Sequence, residues 1–123
     1  NANSLIGDVG AIALADALKQ NSTLKSLILA SNNIGPQGGI AIGDALQHNT
    51  TLTSLDLGES VISSNNINNI RGTGAIALAD ALKQNSTLTT LNVSKNDIGR
   101  GGTELIADAL KVNTTLQVLS LEL

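Results

Sequence analysis

The sequence predicts an α/β solenoid, a right-handed arc of about four units with a parallel sheet on its concave side and helices on its convex side. Three observations predict it. The segment GAIALADALKQNSTL occurs at Gly10 to Leu24 and returns unchanged at Gly74 to Leu88, with diverged copies at Gly39 to Leu52 and Gly102 to Leu116. The asparagine that follows each copy's helical stretch, at Asn21, Asn49, Asn85 and Asn113, recurs at spacings of 28, 36 and 28 residues. Within each unit the apolar period switches from two to about 3.6. A self-repeat of this length marks a stacked architecture in which no unit buries a core alone.

The elements follow in order. A first helix follows a glycine-containing turn, and its stripe Ala11, Leu14, Ala15 and Leu18 falls at i, i+3, i+4 and i+7. Asn21-Ser-Thr stops that helix, the asparagine being suited to the left-handed conformation at a helix end. Leu24-x-x-Leu27-x-Leu29 then ends in strand alternation, repeated by Leu52, Leu55, Leu57, by Leu88, Leu91, Val93 and by Leu116, Leu119, Leu121. Glycine-containing stretches, Gly35 to Gly38, Arg71 to Gly74 and Gly99 to Gly102, are read as tight turns leading into later helices. Parallel strands stack ~4.8 Å apart and helices ~8 to 10 Å apart, so the array curves with the strands inside. The units run 1–23, 24–51, 52–87, 88–115 and a partial 116–123, forming a single domain, 1–123. The third carries eight extra residues within Gly58 to Arg71, on the loop edge beside the concave face, either a binding element or a neutral extension. Both ends fall inside the pattern, which reads as part of a longer array.

The stretch Leu24-Lys-Ser-Leu-Ile-Leu-Ala-Ser-Asn32-Asn-Ile34 fits the signature L-x-x-L-x-L-x-x-N-x-L. With its 28-residue units and alanine-rich helix, the whole chain resembles the ribonuclease-inhibitor-like subclass of leucine-rich-repeat proteins. That resemblance implies a protein-binding module without catalytic function. It also implies that Asn32 and Asn96 bond loop backbone along a ladder, with Ser4 in the first unit and either Ser60 or Asn68 in the third at the same place.

Composition narrows the function classes. Ten acids against seven bases give a net charge of −3, and no Lys/Arg cluster offers a footprint for nucleic acid or anionic membrane. No apolar run approaches the ~18 residues of a membrane span. Zero Cys excludes thiolate metal sites and thiol nucleophiles and suits a reducing, cytoplasmic setting, including a host cytoplasm for a delivered bacterial effector. The single histidine, His48, shares its repeat position with Gln20, Gln84 and Val112, so proton transfer is not its task. The glycine stretches lack any phosphate-loop pattern. No enzyme activity and no cofactor are expected.

The remaining candidates are surface features. Concave positions are Ser26, Ile28, Ala30, then Ser54, Asp56, Gly58, then Thr90, Asn92, Ser94, then Val118, Ser120, Glu122. Asp56, Glu59, Arg71, Asn92 and Glu122 are selected as protein contacts. Asp16, Asp44, Asp80 and Asp108 form an outward column, paired three residues on with Lys19, Lys83 and Lys111. Asn-x-Ser/Thr sites at Asn21, Asn49, Asn85 and Asn113 are explained by the helix stop, and Asn92 lies on a strand, so glycans are not expected. Self-association through uncapped ends, or through a substantially exposed Ile12, Ile40, Ile76 column, is a further expectation, the favoured alternative for that column being partial burial between neighbouring helices. The alternatives to a protein-interaction module in an immune sensor or effector are a scaffold without ligand and a regulator of an enzyme such as a nuclease or small GTPase.

Overall fold

A computed structural model describes residues 5–59 and 68–122. The order is α1 (Gly7–Gln20), β1 (Ser26–Ile28), α2 (Pro36–Leu46), β2 (Ser54–Asp56), α3 (Arg71–Gln84), β3 (Thr90–Asn92), α4 (Gly99–Leu110) and β4 (Val118–Ser120). The four strands form one parallel sheet in sequence order, and each helix packs on its sequence neighbour. The register places Leu27, Leu55, Leu91 and Leu119 in one inward row. Those leucines, with Leu52, Leu57, Leu88 and Val93, meet Ile42, Leu46, Leu78 and Leu82 of the helices in a continuous core. The α/β leucine-rich-repeat solenoid read from the sequence is therefore the architecture found.

Two local readings are corrected. The glycine stretches are not turns outside the helices, because α1, α3 and α4 begin at Gly7, Arg71 and Gly99 and α2 at Pro36. Gly10, Gly38 and Gly74 lie inside the first turns, where a Cβ would strike Ile6, Ile34 and Ile70 respectively. The residue is small there so that the isoleucine preceding each helix can tuck beneath it. The asparagines that end α1 and α3 are extended, with φ −80° at Asn21 and −79° at Asn85, rather than left-handed. Their side chains explain this: Asn21 Oδ1 accepts the N–H groups of Thr23 and Leu24 at 2.9 and 2.7 Å, which launches the chain directly toward β1.

The same turn recurs at Asn49, Asn85 and Asn113, each with a second set of bonds. Asn49 Nδ2 donates to Leu18 O at 2.8 Å and Asn21 O at 3.2 Å, Asn85 Nδ2 to Leu46 O and Asn49 O, and Asn113 Nδ2 to Leu82 O and Asn85 O. Each amide thereby closes the C-terminal end of the preceding helix. Position in the stack changes burial at constant sequence. Ala17, Asn21 and Leu24 are exposed on α1 and its following turn, whereas Ala81, Asn85 and Leu88 of the unchanged copy are buried under α2 and β2.

The outer column is also uneven. Ile12 and Ile76 are 41% and 48% exposed, but Ile40 is half-buried. Of the expected three-residue acid–base pairs only Lys111–Asp108 forms, at 3.2 Å, among the described residues. Lys19 instead crosses to the next unit and meets Asp44 at 2.8 Å. That neighbour raises the Lys19 pKa and lowers that of Asp44, in both cases through the shared hydrogen bond first and the opposite charge second.

Candidate functional site

Strand alternation turns two rows of side chains toward the concave side. Ser26, Ser54, Thr90 and Val118 align in one, and Ile28, Asp56, Asn92 and Ser120 in the other. Asp56 and Asn92 are thus register neighbours on adjacent strands, both half-buried. Each is fixed by its own backbone: Asp56 Oδ1 accepts the Gly58 N–H at 2.9 Å, and Asn92 Oδ1 accepts the Ser94 N–H at 2.9 Å. Asn92 lies over Gly58, where a Cβ would sit 2.8 Å from its amide nitrogen and oxygen. Removing that side chain is what lets the amide lie flat along the face.

The other selected contacts disperse around this pair. Glu59 is half-buried just past Gly58, and Glu122 is exposed beyond β4, 3.9 Å from Lys95 Nζ. Arg71 is not on the sheet. It opens α3 with its N–H on Asn96 O at 2.9 Å and with φ +59°, a left-handed conformation that Gly7 and Gly99 occupy in other units. A β-carbon there costs about 1–2 kcal/mol. The stretch 60–67, which is part of the Gly58 to Arg71 segment assigned to the insertion, lies outside the described residues, as does Ser4.

The signature ladder resolves the ambiguous third unit in favour of Asn68. Its Nδ2 donates to Leu29 O and Leu57 O, both at 2.9 Å, and its Oδ1 accepts the N–H groups of Asn32 and Ile34 at 3.0 and 2.8 Å. Asn96 Nδ2 reaches Leu57 O, Val93 O and Ser94 O, while its Oδ1 accepts the Ile70 N–H. Among the described residues Asn32 makes only one side-chain bond, to Ala30 O at 3.1 Å. One contributor was missed from the sequence altogether. Asp8 Oδ1 accepts the Gly35 and Gly38 N–H groups at 2.7 and 3.0 Å, so a carboxylate of one unit caps the helix of the next. Its signal was available: Asp8 stands where the other units have Pro36, Gly72 and Arg100.

Catalytic or metal chemistry finds no constellation among the described residues. No group of three or more His, Cys, Asp or Glu converges on a point. His48 is exposed, its Nδ1 3.0 Å from the Asp44 carbonyl. No helix among the described residues is long and apolar enough to cross a membrane.

Comparison with known proteins agrees with this geometry. Residues 20–43 and 84–107 match a family model described as leucine-rich repeat. A solved structure titled Leiomodin-1 Actin-Binding Site 2 (ABS2) superposes with a TM-score of 0.84 at 32% identity, covering 100% of this chain and 68% of the other. The chain belongs to the leucine-rich-repeat family. No curated protein sequence matches it. In this leucine-rich-repeat protein the two asparagine ladders run along opposite ends of the strands, Asn68 and Asn96 in the loops after them and Asn49, Asn85 and Asn113 in the turns before them. Between them the concave face is left to small polar side chains, the exposed Ile28 and Val118, and the Asp56 carboxylate.

Proposed function

We propose that this leucine-rich-repeat protein is a non-catalytic protein-interaction module that binds through the concave face of β1 to β4. The observation that carries the reading is the Asp56–Asn92 pair, two polar side chains held by their own backbone with their remaining hydrogen-bonding capacity turned outward. Orientation in advance of binding lowers the ordering cost of an interface. Glu59, Glu122 and Arg71 form its rim, and the stretch 60–67 continues from Glu59. The 28-residue units and the helix in each support placing the chain in the ribonuclease-inhibitor-like subclass. A cytoplasmic setting, supported by the absence of Cys, suits such a module. An immune sensor, a delivered effector and a regulator of a nuclease or small GTPase would all use the same face.

The solved neighbour's title names actin binding, which makes actin the first purified partner to try. Co-sedimentation with filamentous actin tests that candidate directly. The broader test immobilises the chain, captures proteins from lysate and repeats the capture with Asp56→Lys combined with Asn92→Arg. A protein retained by the parent chain and lost by the variant supports the concave reading. Retention by both moves the contact to the helices, with Ile12 and Ile76 the first residues to substitute. Retention by neither favours a scaffold without a ligand.

A further inference from the structure

We propose that the occupant of the concave face is an α-helix lying across the strands, with an apolar side chain on Ile28 and, one turn further on, a Lys or Arg on Asp56. The inference rests on the concave-face reading and names the chemistry of its partner.

Charge sets one half of the requirement. Asp56 is the one ionisable residue within the four strands, and it takes part in no ion pair among the described residues. Its Oδ1 is tied to the Gly58 N–H, and no other described group bonds to its carboxylate. The second oxygen is therefore available, at fixed orientation, to a cation from outside, and a charge-assisted bond is the stronger kind. Ile28 sets the other half. It is the register partner of Asp56 on the adjacent strand and is 70% exposed, so an apolar contact stands beside the carboxylate.

Spacing selects the helix. Neighbouring register positions lie ~4.8 Å apart, the separation of hydrogen-bonded strands. Successive turns of an α-helix are ~5.4 Å apart, and side chains at i and i+4 are separated by about 5–6 Å. One turn per strand therefore keeps a crossing helix in step over Ile28, Asp56 and Asn92. An extended segment presents same-face residues about 6.8 Å apart and falls out of step by about 2 Å per strand. The floor is also low enough for a helix, since Ser26, Ser54 and Thr90 line the parallel row and Gly58 lies beyond Asp56. A polar residue on the helix's third turn would meet the Asn92 amide.

The test titrates the full chain, labelled with ¹⁵N, with synthetic helical peptides of about 16 residues. One carries Leu and, four residues later, Arg; a second has the same composition with the Arg moved two residues to the opposite face; a third alternates the same residues for an extended conformation. The expected result is saturable shifts at the amides of Ile28, Asp56 and Asn92 with the first peptide and about tenfold weaker binding of the others, equivalent to ~1.4 kcal/mol. Asp56→Asn keeps an oxygen for the Gly58 N–H and should leave the spectrum folded while weakening the first peptide about tenfold, and Ile28→Ser should weaken it comparably. Equal affinity for the in-phase and out-of-phase peptides, preference for the extended one, or indifference to Asp56→Asn would each overturn the proposal. If no peptide discriminates but a captured protein is still lost by Asp56→Lys with Asn92→Arg, the helix chemistry fails and the concave site stands.

Discussion

Asn68 draws four loop backbone groups onto one buried amide, two carbonyls and two N–H groups from two segments of the chain. Truncation to Ala would remove the side-chain partner of the Asn32 and Ile34 N–H groups and of Leu29 O, while Leu57 O would keep the Asn96 amide. Leaving a buried polar group unmatched costs about 1–3 kcal/mol, with partial relief when water enters. Asn68→Ala is expected to destabilise by about 3 kcal/mol and Asn32→Ala, which gives up one bond at a half-buried site, by under about 1 kcal/mol. Urea unfolding of the two variants checks the ranking, and equal losses would contradict it. The sequence shows why such a residue is needed without showing which it is. An eight-residue insertion leaves both Ser60 and Asn68 at allowed offsets, and Asn68 is recognised by the backbone groups it bonds. Arg71 stands at the head of α3 in the left-handed conformation, which its place in the sequence does not announce.

At the level of helices, the α2·α3 contact is closed by glycines that face the partner helix rather than a turn. A Cβ on Gly43 would approach the Ala77 carbonyl carbon and oxygen to 2.8 Å, contacts with backbone that cannot swing aside. Gly101 in α4 has nothing within 4 Å of the same position and a negative φ. Gly43→Ala should cost about 1–3 kcal/mol through overpacking, while Gly101→Ala should gain about 0.4–1 kcal/mol from reduced freedom of the unfolded chain. Thermal unfolding distinguishes them by the sign of the Tm change. The helical stripes were readable because burial repeats along one chain segment; the role of a glycine was not, because its reason lies on another helix.

The Lys19–Asp44 bridge follows the same rule, joining units that local spacing would have paired internally. Its pH dependence can be worked out from the shifts. The lowered Asp44 pKa contributes stability above its ordinary value of 3.8, lost as pH falls through the depressed folded value. The raised Lys19 pKa contributes below 10.5 and is lost as pH rises through the elevated folded value. The stability difference between the parent chain and Asp44→Asn should therefore be small and flat between those limits, shrink outside them and fall with added salt, as measured by denaturation across pH.

For the molecule as a whole, the architecture was almost entirely legible, since four copies of one period leave little choice of topology. The candidate site was legible only as a set of outward positions. Which of them stand side by side is decided by register, and register joined Asp56 to Asn92 while leaving Glu122 at the far strand. Stacked units share stability between an intrinsic part and a part owed to each neighbour, and separating the two ordinarily requires a family of consensus proteins. Here one molecule contains the comparison. The fifteen residues from Gly10 and the fifteen from Gly74 are the same, so their helix propensity, side-chain entropy and intrinsic amide chemistry cancel, yet Leu24 and Asn21 are exposed where Leu88 and Asn85 are buried. In native-state hydrogen exchange the α3 copy should be the slower, and the logarithm of the ratio at matched amides, multiplied by RT, is a free energy of having a unit at one's back, measured without a mutation.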